Sequence, residues 1–280
     1  MEKKGIINGA TTQIDFASFG YDALATLLIS VETQQIQQVV KYIQKITEVR
    51  AYRQYNSIYN VRAITTLKKL NELDHVRGAI RRHLPTTGLK TYIWTDVKNI
   101  PENLNLAATQ KKPDTAKVDA EKSQRQERNE IDELDLQIVD KLSSNGGASF
   151  SEIAQEIGTS TDTVVKRYQK LKKNGAIKIS IQINPNKIGY RAILDFNIAF
   201  ASSGNLSGIV ATLAKIPDVI IIIKTSGDYD LQLTAMIRDI EQMYSIQDQI
   251  AKTRGVTKME ASMRKIPNQW PTPNQYISTF

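Results

Sequence analysis

The sequence predicts an α+β protein in which a winged helix-turn-helix is flanked by two ferredoxin-like βαββαβ sandwich domains. Three short amphipathic segments follow one another between residues 131 and 174, and the third is basic on one side only. Apolar strand-like runs then alternate with helical segments over residues 190–265, and the same order occurs once before, over residues 20–97. Two βαβ units in this order form a four-stranded sheet backed by two helices.

Composition narrows the chemistry that the chain can perform. Cysteine is absent, so disulfides and Cys-ligated metals are excluded, and His75 and His83 are the only imidazoles. No run of eighteen or more apolar residues occurs, which argues against a membrane span. The net charge is +8, but residues 131–175 carry 6 basic and 7 acidic side chains, so the positive surplus lies elsewhere in the chain. We therefore expect a cytoplasmic protein without a catalytic residue, metal site or cofactor.

Five segments are expected along the chain. They are a degenerate ferredoxin-like domain over residues 1–100, a linker over 101–130, the winged helix-turn-helix over 131–185, a second ferredoxin-like domain over 186–265 and a tail over 266–280. The linker is rich in Lys, Glu, Gln, Asp and Ala and poor in large apolar side chains, so burial cannot offset the entropy lost on ordering it. The tail, with Trp270 and Tyr276 among prolines, either straps onto a neighbouring surface or stays loose.

The helix-turn-helix is predicted from three segments: Ile131–Ser143, Ser149–Ile157 and Ser160–Asn174. Leu134, Ile138 and Leu142 recur at helical spacing in the first segment. Gly158 tolerates the left-handed backbone that a sharp turn between the second and third helices requires. Ser160 then follows as the expected N-cap.

The third helix has two faces. Val164, Tyr168 and Leu171 fall on one side and are expected in the core, whereas basic residues crowd the other side. Because the N-terminal part of such a helix meets base edges in the DNA major groove, we assign groove contacts to Thr161, Thr163, Lys166 and Arg167, and phosphate contacts to Ser160 and Lys170. The alternative is a solvated helix end, since cations also suit a C-terminal turn. The alternating run from Ile177 to Ile183 is expected to be a wing or a bridge to the next domain.

Several spaced motifs resemble the Lrp/AsnC family of transcription regulators. They are Ile131-Asp132-Glu133-Leu134-Asp135-Leu136-Gln137-Ile138, Ser151-Glu152-Ile153-Ala154, Gly158-Thr159-Ser160, Asn174-Gly175-Ala176-Ile177, Asn184-Pro185 and Ile188-Gly189-Tyr190. The resemblance implies binding to double-stranded DNA through the helix-turn-helix. It also implies that the domain behind it binds a small effector, often an amino acid, and mediates oligomerisation.

The second ferredoxin-like domain contains the turn Ser226-Gly227-Asp228-Tyr229-Asp230. Its strands are predicted over Ile193–Phe200, Val219–Ile223, Leu231–Ile237 and Val256–Met263, and its helices over Leu206–Ala214 and Asp239–Ala251. The turn has two interpretations. Gly227 and the aspartates stabilise a hairpin, or, as the resemblance implies, all five residues line an effector pocket between subunits.

The first hundred residues repeat this pattern. Strands are expected over Ala23–Val31, Val49–Gln54, Val61–Thr66 and Thr91–Val97, with helices around Ile36–Ile46 and over Leu70–His83. The turn Ser57-Ile58-Tyr59-Asn60 stands where the second copy has Gly227-Asp228-Tyr229-Asp230, but it lacks the glycine and both acids, so we expect it not to bind the same effector.

The start of the chain resembles the exit from the third helix, because Gly5 precedes Gly20-Tyr21 much as Gly175 precedes Gly189-Tyr190. One hypothesis is that Met1 lies near the end of a lost recognition helix; the alternative is a short basic leader. A segment 5–16 without strand or wing would reject the hypothesis.

The leading hypothesis is a sequence-specific transcription regulator modulated by an amino acid or a related effector. The two ferredoxin-like domains are expected to pair within one chain. A dimer of chains would then supply two helix-turn-helices for the two half-sites of a DNA site. One alternative is an effector-sensing partner that does not read DNA. Another is a tetrapyrrole decarboxylase, known among relatives of this family, for which His75, His83, Arg81 and Arg82 are the available residues. A basic cluster, Lys68, Lys69, Arg77, Arg81 and Arg82, either attracts phosphate or is simply solvated.

Overall fold

The computed structural model of the chain describes residues 4–45, 49–55, 57–100, 103–104, 131–144, 147–201 and 205–272. Strand β1 (Ile7–Ile14) precedes a first unit made of β2 (Ala23–Val31), α1 (Ile36–Ile43), β3 (Val49–Arg53), β4 (Val61–Leu67), α2 (Glu72–His83) and β5 (Thr86–Asn99). The helix-turn-helix follows as α3 (Glu133–Ser144), α4 (Phe150–Ile157) and α5 (Thr161–Lys173), and leads into β6 (Ile177–Ile183). A second unit comprises β7 (Ala192–Phe200), α6 (Leu206–Leu213), β8 (Val219–Ser226), β9 (Leu231–Ile237), α7 (Ile240–Ala251) and β10 (Val256–Lys265).

Both units have the ferredoxin-like arrangement that the sequence predicts. The strand order is β5-β2-β4-β3 in the first unit and β10-β7-β9-β8 in the second, which in each case places the fourth strand beside the first. Strand β5 is much longer than the predicted Thr91–Val97, because its beginning pairs with β2 and its end pairs with β8. The first helix was predicted to reach Ile46, and that residue lies outside the described part.

The predicted linker also lies mostly outside the described residues, and its described portion departs from the expectation. Asn103 donates hydrogen bonds from Nδ2 to the carbonyl oxygens of Ala214 at 2.8 Å and Val219 at 2.9 Å. Leu104 is buried in the apolar core beneath the helix-turn-helix. These two residues therefore belong to the folded body, and burial of an apolar side chain beside a satisfied amide explains why they are ordered.

The two units share one sheet. Pairing of β5 with β8 joins them into eight strands in the order β10-β7-β9-β8-β5-β2-β4-β3. At the far ends Tyr55 and Met263 exchange backbone hydrogen bonds of 2.7 and 3.0 Å, so the sheet curls round until its two edges meet. The helices cover the outer face, and the inner faces of the two units cover each other. The internal pairing of sandwiches expected from the sequence is thus present in a single chain.

Strand β2 is buried on both faces of the sheet, and its residues differ between the two faces. Ala25 and Leu27 point outward into the core beneath the first unit's helices, while Thr26 points to the inner face. Successive side chains of a strand alternate between faces. A strand buried on both sides therefore needs apolar residues outward and, here, a polar residue inward.

A hydrogen-bond network fills the middle of the inner face. Gln232 of the second unit accepts at Oε1 from Thr26 Oγ1 at 2.8 Å and from Arg62 at 2.9 Å, both in the first unit. Its Nε2 donates to Asn197 Oδ1 at 3.0 Å, and Trp94 Nε1 donates to Thr26 Oγ1 at 2.8 Å. Buried polar groups are costly unless paired, so this network fixes the position of one unit against the other.

A buried carboxylate completes the inner face. Asp195 accepts from Thr234 Oγ1 and from Arg264 Nε, each at 2.7 Å. Burial by itself raises the pKa of Asp195, but the guanidinium groups of Arg264 and Arg62 outweigh it and hold this pKa below its usual value. The aspartate is therefore charged at neutral pH and depends on its arginine partners.

The N-terminal segment forms a two-stranded antiparallel ribbon with the wing strand, since β1 pairs with β6 from Ile7↔Ile183 to Ile14↔Ile177. Each ribbon strand is followed by a 3-10 turn that ends on a left-handed glycine, Gly20 after β1 and Gly189 after β6. The interval from Gly5 to Gly20 is one residue longer than that from Gly175 to Gly189, and the register shift of the ribbon between Ile7 and Gly9 accommodates the extra residue. The segment is a strand, so the observation that would have rejected the lost-helix hypothesis is not found, and the hypothesis stays a prediction.

The described part of the tail straps onto this ribbon. Trp270 is buried, and its backbone exchanges hydrogen bonds of 2.8 and 2.9 Å with Ile183. Of the two alternatives that the sequence left open for the tail, the structure favours the strap up to Thr272.

We predict that Arg264→Met lowers the free energy of unfolding by about 3–5 kcal/mol at neutral pH, because it leaves a buried carboxylate without its ion-pair partner. In the wild type the lowered pKa of Asp195 gives stability that is present above about pH 4 and is lost as the pH falls through the folded-state value. In the variant the pKa of Asp195 is higher than in the wild type, so the loss of stability is largest at neutral pH and shrinks in acid. Urea unfolding at several pH values measures it, with Lys265→Met on the same strand as control. A penalty that does not depend on pH contradicts the assignment.

Candidate nucleic-acid interface and effector turn

The turn between α4 and α5 is built by caps that the sequence predicts. Ser149 and Glu152 form a capping box at the start of α4. Gly158 ends α4 at φ 70°, a left-handed conformation that favours glycine. Ser160 then accepts the backbone N–H of Thr163 at 3.1 Å and begins α5. Each helix end is satisfied locally, so the joint fixes the angle between the two helices.

The inner face of α5 is anchored as predicted. Val164 and Leu171 are fully buried together with Ile138 of α3. Tyr168 packs against Phe150, with ring centroids 4.9 Å apart. This apolar contact decides which residues of α5 point away from the protein.

The outward face of α5 carries Thr161, Lys166 and Lys170, all exposed as the sequence predicts. Gln169 and Lys173 are exposed on the same face, and neither is among the contacts predicted from the sequence. Gln169 lies three residues after Lys166, so helical spacing was the signal that identifies it. Within the described residues, neither Lys166 nor Lys170 forms an ion pair.

Arg167 departs from its predicted role as a groove contact. Its guanidinium lies 2.5 Å from Oδ2 of Asp132 and 3.2 Å from Oδ2 of the buried Asp135, at the beginning of α3. The hydrogen bond to Asp132 is the main reason that the pKa of Arg167 is raised. In this structure the side chain joins α5 to α3 and is turned away from the groove-facing surface.

Thr163 also departs from a simple groove contact. Its hydroxyl is 2.8 Å from the hydroxyl of Ser160, and the residue is half-buried. The two side chains form the N-terminal cap of α5, although Ser160 remains exposed. A phosphate contact by Ser160 is compatible with this geometry because a hydroxyl can donate and accept at once.

The helix-turn-helix contacts the ribbon through α3. Thr12 of β1 is fully buried and donates from Oγ1 to the carbonyl oxygen of Leu142 at 3.1 Å. Ile14 and Phe16 join the same apolar core as Ile138 and Leu142. The N-terminal strand therefore supports the helix-turn-helix from the side opposite to α5's exposed face.

The predicted effector turn, Ser226 to Asp230, is docked on the first unit. Gly227 has φ 143°, and a Cβ at this position would lie 3.0 Å from a ring carbon of Tyr92 in β5. Asp228 is exposed, and its carboxylate is 3.0 Å from Nζ of Lys90, also in β5. This hydrogen bond is the main reason that the pKa of Lys90 is raised. The turn thus contacts the other unit through both its backbone and its charge.

The remaining turn residues stabilise the hairpin. Tyr229 is buried, and the carboxylate of Asp230 accepts the backbone N–H of Phe200 at 2.7 Å. Ser226 is exposed and pairs with Ile93 of β5. The hairpin interpretation therefore accounts for Gly227, Tyr229 and Asp230, whereas Ser226 and Asp228 keep exposed polar groups.

The first unit's turn is the structural equivalent that the sequence predicted. Asn60 accepts the backbone N–H of Val31 at 3.1 Å, just as Asp230 accepts that of Phe200 at the end of the matching strand. Its amide also donates to the carbonyl oxygen of Val31 at 2.7 Å. An asparagine satisfies this strand end without a charge, which explains how the acid could be lost without loss of the turn.

A cluster of tyrosines and lysines lies where the two turns meet. Tyr92 and Tyr229 are both buried, with ring centroids 5.9 Å apart. Nζ of Lys90 is 5.6 Å from the ring of Tyr59, and Nζ of Lys258 is 4.8 Å from the ring of Tyr229. Burial raises the pKa of Tyr92, and the carboxylate of Asp228 adds to the effect. Both units therefore contribute to this end of the sheet.

The described residues include no group of three His, Cys, Asp or Glu side chains that could hold a metal ion. Of the two histidines, His75 is exposed on α2. In the same described ranges no helix is long and apolar enough to cross a membrane.

Two family models match the chain. The AsnC-type helix-turn-helix domain matches residues 131–172, and the Lrp/AsnC ligand binding domain matches residues 192–264. The HTH-type transcriptional regulator FL11 of Pyrococcus horikoshii is 31% identical over 127 residues, which are 45% of this chain and 83% of that protein. An uncharacterized HTH-type transcriptional regulator of the same organism is 32% identical over 143 residues, 50% of this chain and 90% of that protein.

Solved structures of a siroheme decarboxylase resemble the chain over almost its whole length. The siroheme decarboxylase NirDL in complex with an iron-uroporphyrin III analogue covers 97% of this chain and 79% of that one, with a TM-score of 0.64 and 14% sequence identity. At this identity the likeness shows a shared fold alone. The two family matches and the named relatives assign the family: the chain belongs to the Lrp/AsnC family of transcription regulators.

Proposed function

We propose that the protein is a sequence-specific DNA-binding regulator that places α5 in the major groove and works in the cytoplasm, where it meets chromosomal DNA. The observation that carries the proposal is the exposed face of α5. Lys166, Gln169 and Lys170 point outward from a helix whose other face is locked into the core. A helix fixed in this way presents the same side chains to every duplex that it meets, as recognition requires.

The side chains divide by chemistry. Lys166 donates hydrogen bonds that suit guanine, and the amide of Gln169 suits adenine. Ser160 and Thr161 lie at the N-terminus of α5, where backbone N–H groups favour a phosphate, and Lys170 and Lys173 add cations along the backbone. Arg167 acts as a positioning residue through Asp132 and Asp135.

We propose that two chains act together on DNA. The described part of the chain contains one helix-turn-helix, and two half-sites about 34 Å apart require two of them. The two ferredoxin-like units already pair with each other within the chain. We therefore expect the partner to be a second copy that contributes the second helix-turn-helix.

Two other functions are less well supported. A partner that senses an effector without reading DNA does not need the exposed cations of α5. A tetrapyrrole decarboxylase would rest on the 14% identical fold neighbour and on His75, which lies exposed on α2. The relatives at about 30% identity are named as transcriptional regulators.

We also propose that a small zwitterionic effector, an amino acid or a related metabolite, binds beside Asp228. This carboxylate is exposed, and its present partner is the ammonium group of Lys90. An effector ammonium would displace the Lys90 ammonium from the Asp228 carboxylate. The exchange requires movement only of side chains at the meeting point of the two units.

Lys170→Ala and Gln169→Ala are expected to weaken DNA binding in different ways. Losing Lys170 weakens binding to specific and random duplexes alike and lowers the slope of log K against log salt by about one. Losing Gln169 costs about 1–3 kcal/mol on the specific duplex alone. Fluorescence anisotropy across salt concentrations separates the two, with Lys215→Ala in the second unit as the matched control. Equal behaviour of the Lys170 and Lys215 variants contradicts the assignment.

A mutant cycle tests the role of Arg167. We expect Arg167→Ala and Asp132→Ala to weaken DNA binding to a similar extent, and the double variant to lose little more, with a coupling of about 1 kcal/mol. If Arg167 reads a base instead, Asp132→Ala frees its guanidinium and strengthens specific binding. Affinity for one specific duplex, measured for all four proteins, decides between these roles.

Substitutions of Lys90 and Asp228 are expected to change the affinity for the effector in opposite directions. Lys90→Met removes the competing ammonium and is expected to tighten effector binding several-fold, whereas Asp228→Asn is expected to abolish it. Calorimetric titration with a pooled set of amino acids, and then with single members, measures both. Unchanged binding in Asp228→Asn places the effector elsewhere, and DNA affinity in the absence of effector tests the regulator function separately.

A further inference from the structure

A cavity of about 830 Å³ lies on the outer side of the second unit, between α6 and the turn that leads from α7 into β10. Small-molecule sites typically have volumes of about 300–1,000 Å³, so the cavity is large enough for a metabolite. Its floor is apolar, because the buried residues Ile209 and Ile216 contribute to it. We call it the outer cavity, and its polar rim includes Asn205, Lys215, Gln249, Lys252 and Arg254.

The rim of the outer cavity carries cations without acids. Lys215, Lys252 and Arg254 line it, and no Asp or Glu among the described residues does so. In the described ranges neither Lys215 nor Arg254 forms an ion pair, and Lys252 has only an exposed contact of 3.9 Å between Nζ and Oδ2 of Asp248. A cleft lined by one sign of charge concentrates counter-ions. The outer cavity therefore suits an anion, and it offers no carboxylate to the ammonium group of an amino acid.

Asn205 adds a neutral hydrogen-bond donor. Its Oδ1 accepts the backbone N–H of Gly208 at 3.1 Å and caps α6, which leaves its Nδ2 hydrogens for another acceptor. The hydroxyls of Thr212 and Thr253 also line the cavity, but they donate to the carbonyl oxygens of Gly208 and Gln249 at 2.9 Å. Recognition of a ligand here therefore rests on the cations and on one amide.

The equivalent place in the first unit has a different charge. Strands β2 and β7 are both nine residues long, and each is followed by one residue before the loop: Glu32 after β2 and Ala201 after β7. Glu32 is exposed, whereas Ala201 lines the outer cavity. Directly before β5 stand Leu84-Pro85, where β10 has Arg254-Gly255. The cationic rim is thus a property of the second unit and not of the fold that the two units share.

The outer cavity is connected to the effector turn by one strand end. The backbone N–H of Phe200 donates to the carboxylate of Asp230 in the turn at 2.7 Å. The next residue, Ala201, lines the cavity, and its N–H donates to the carbonyl oxygen of Gly255, another lining residue, at 2.9 Å. A ligand in the outer cavity would therefore lie against the strand end that holds the turn.

We propose that the outer cavity binds a phosphorylated metabolite, a phosphate monoester with an apolar body, at a site separate from the one proposed beside Asp228. A phosphate monoester such as that of phosphoserine carries about −1.5 to −2 charges at pH 7, which balances the ammonium of Lys215 and the guanidinium of Arg254. Its apolar body lies on Ile209 and Ile216. A single carboxylate leaves one of the two cations uncompensated, and a zwitterion leaves its ammonium group unpaired.

Calorimetric titration of the full chain with phenyl phosphate, at low salt and without DNA, tests the proposal. We expect saturable binding that is tighter than that of inorganic phosphate, which lacks the apolar body, and of benzoate, which has one charge. Lys215→Met and Arg254→Met are each expected to weaken it about tenfold. Ala201→Glu supplies the carboxylate that the first unit has and is expected to abolish it. Lys45→Met, two residues after α1 as Lys215 is two residues after α6, is the control and is expected to bind like the wild type.

The proposal is overturned if the wild type does not bind phenyl phosphate, if inorganic phosphate or benzoate binds as tightly, or if the Lys215 and Arg254 variants bind like the wild type. Asp228→Asn is expected to bind phenyl phosphate normally, and loss of binding in this variant would place the ligand at the effector turn instead. A random-sequence duplex that displaces phenyl phosphate would assign the cavity to nucleic-acid phosphates. Circular dichroism confirms that each variant is folded.

Discussion

The hydrogen bonds of Gln232 determine how the rest of the molecule is arranged. Its side chain joins Thr26 and Arg62 of one unit to Asn197 of the other in the interior of a shared sheet. Apolar side chains alone would bury the same surface but would tolerate sliding, whereas these groups are satisfied in one register. With that register fixed, β5 reaches β8 and the sheet closes.

The closed sheet also positions the ribbon and the helix-turn-helix that packs against it. Strands β1 and β6, each of which precedes one of the two units, pair to form the ribbon. The helix-turn-helix contacts this ribbon through Thr12 of β1. Strand β1 thus pairs with the wing strand β6 of the same chain.

Local sequence patterns predicted most of the helices, strands and turns of this fold. The features that depend on contacts between distant residues could not be predicted in this way. Apolar periodicity located the strands, and Gly158 with Ser160 located the turn before α5 because caps are encoded by neighbours in sequence. Nothing local links Arg167 to Asp132, 35 residues earlier, so its charge was interpreted as a DNA contact. Strands β5 and β8 pair residues that lie more than a hundred positions apart in the sequence. The sequence of β5 contains no pattern that predicts β8 as its neighbour.

The central claim is that the outward face of α5 reads DNA sequence. Selection of bound duplexes from a random pool by the full chain, at moderate salt, tests it most directly. The account predicts enrichment of a short motif that is lost when Lys166 and Gln169 are both replaced by alanine, while the protein stays folded. A bound pool indistinguishable from the starting pool, or an identical motif from the double variant, contradicts it.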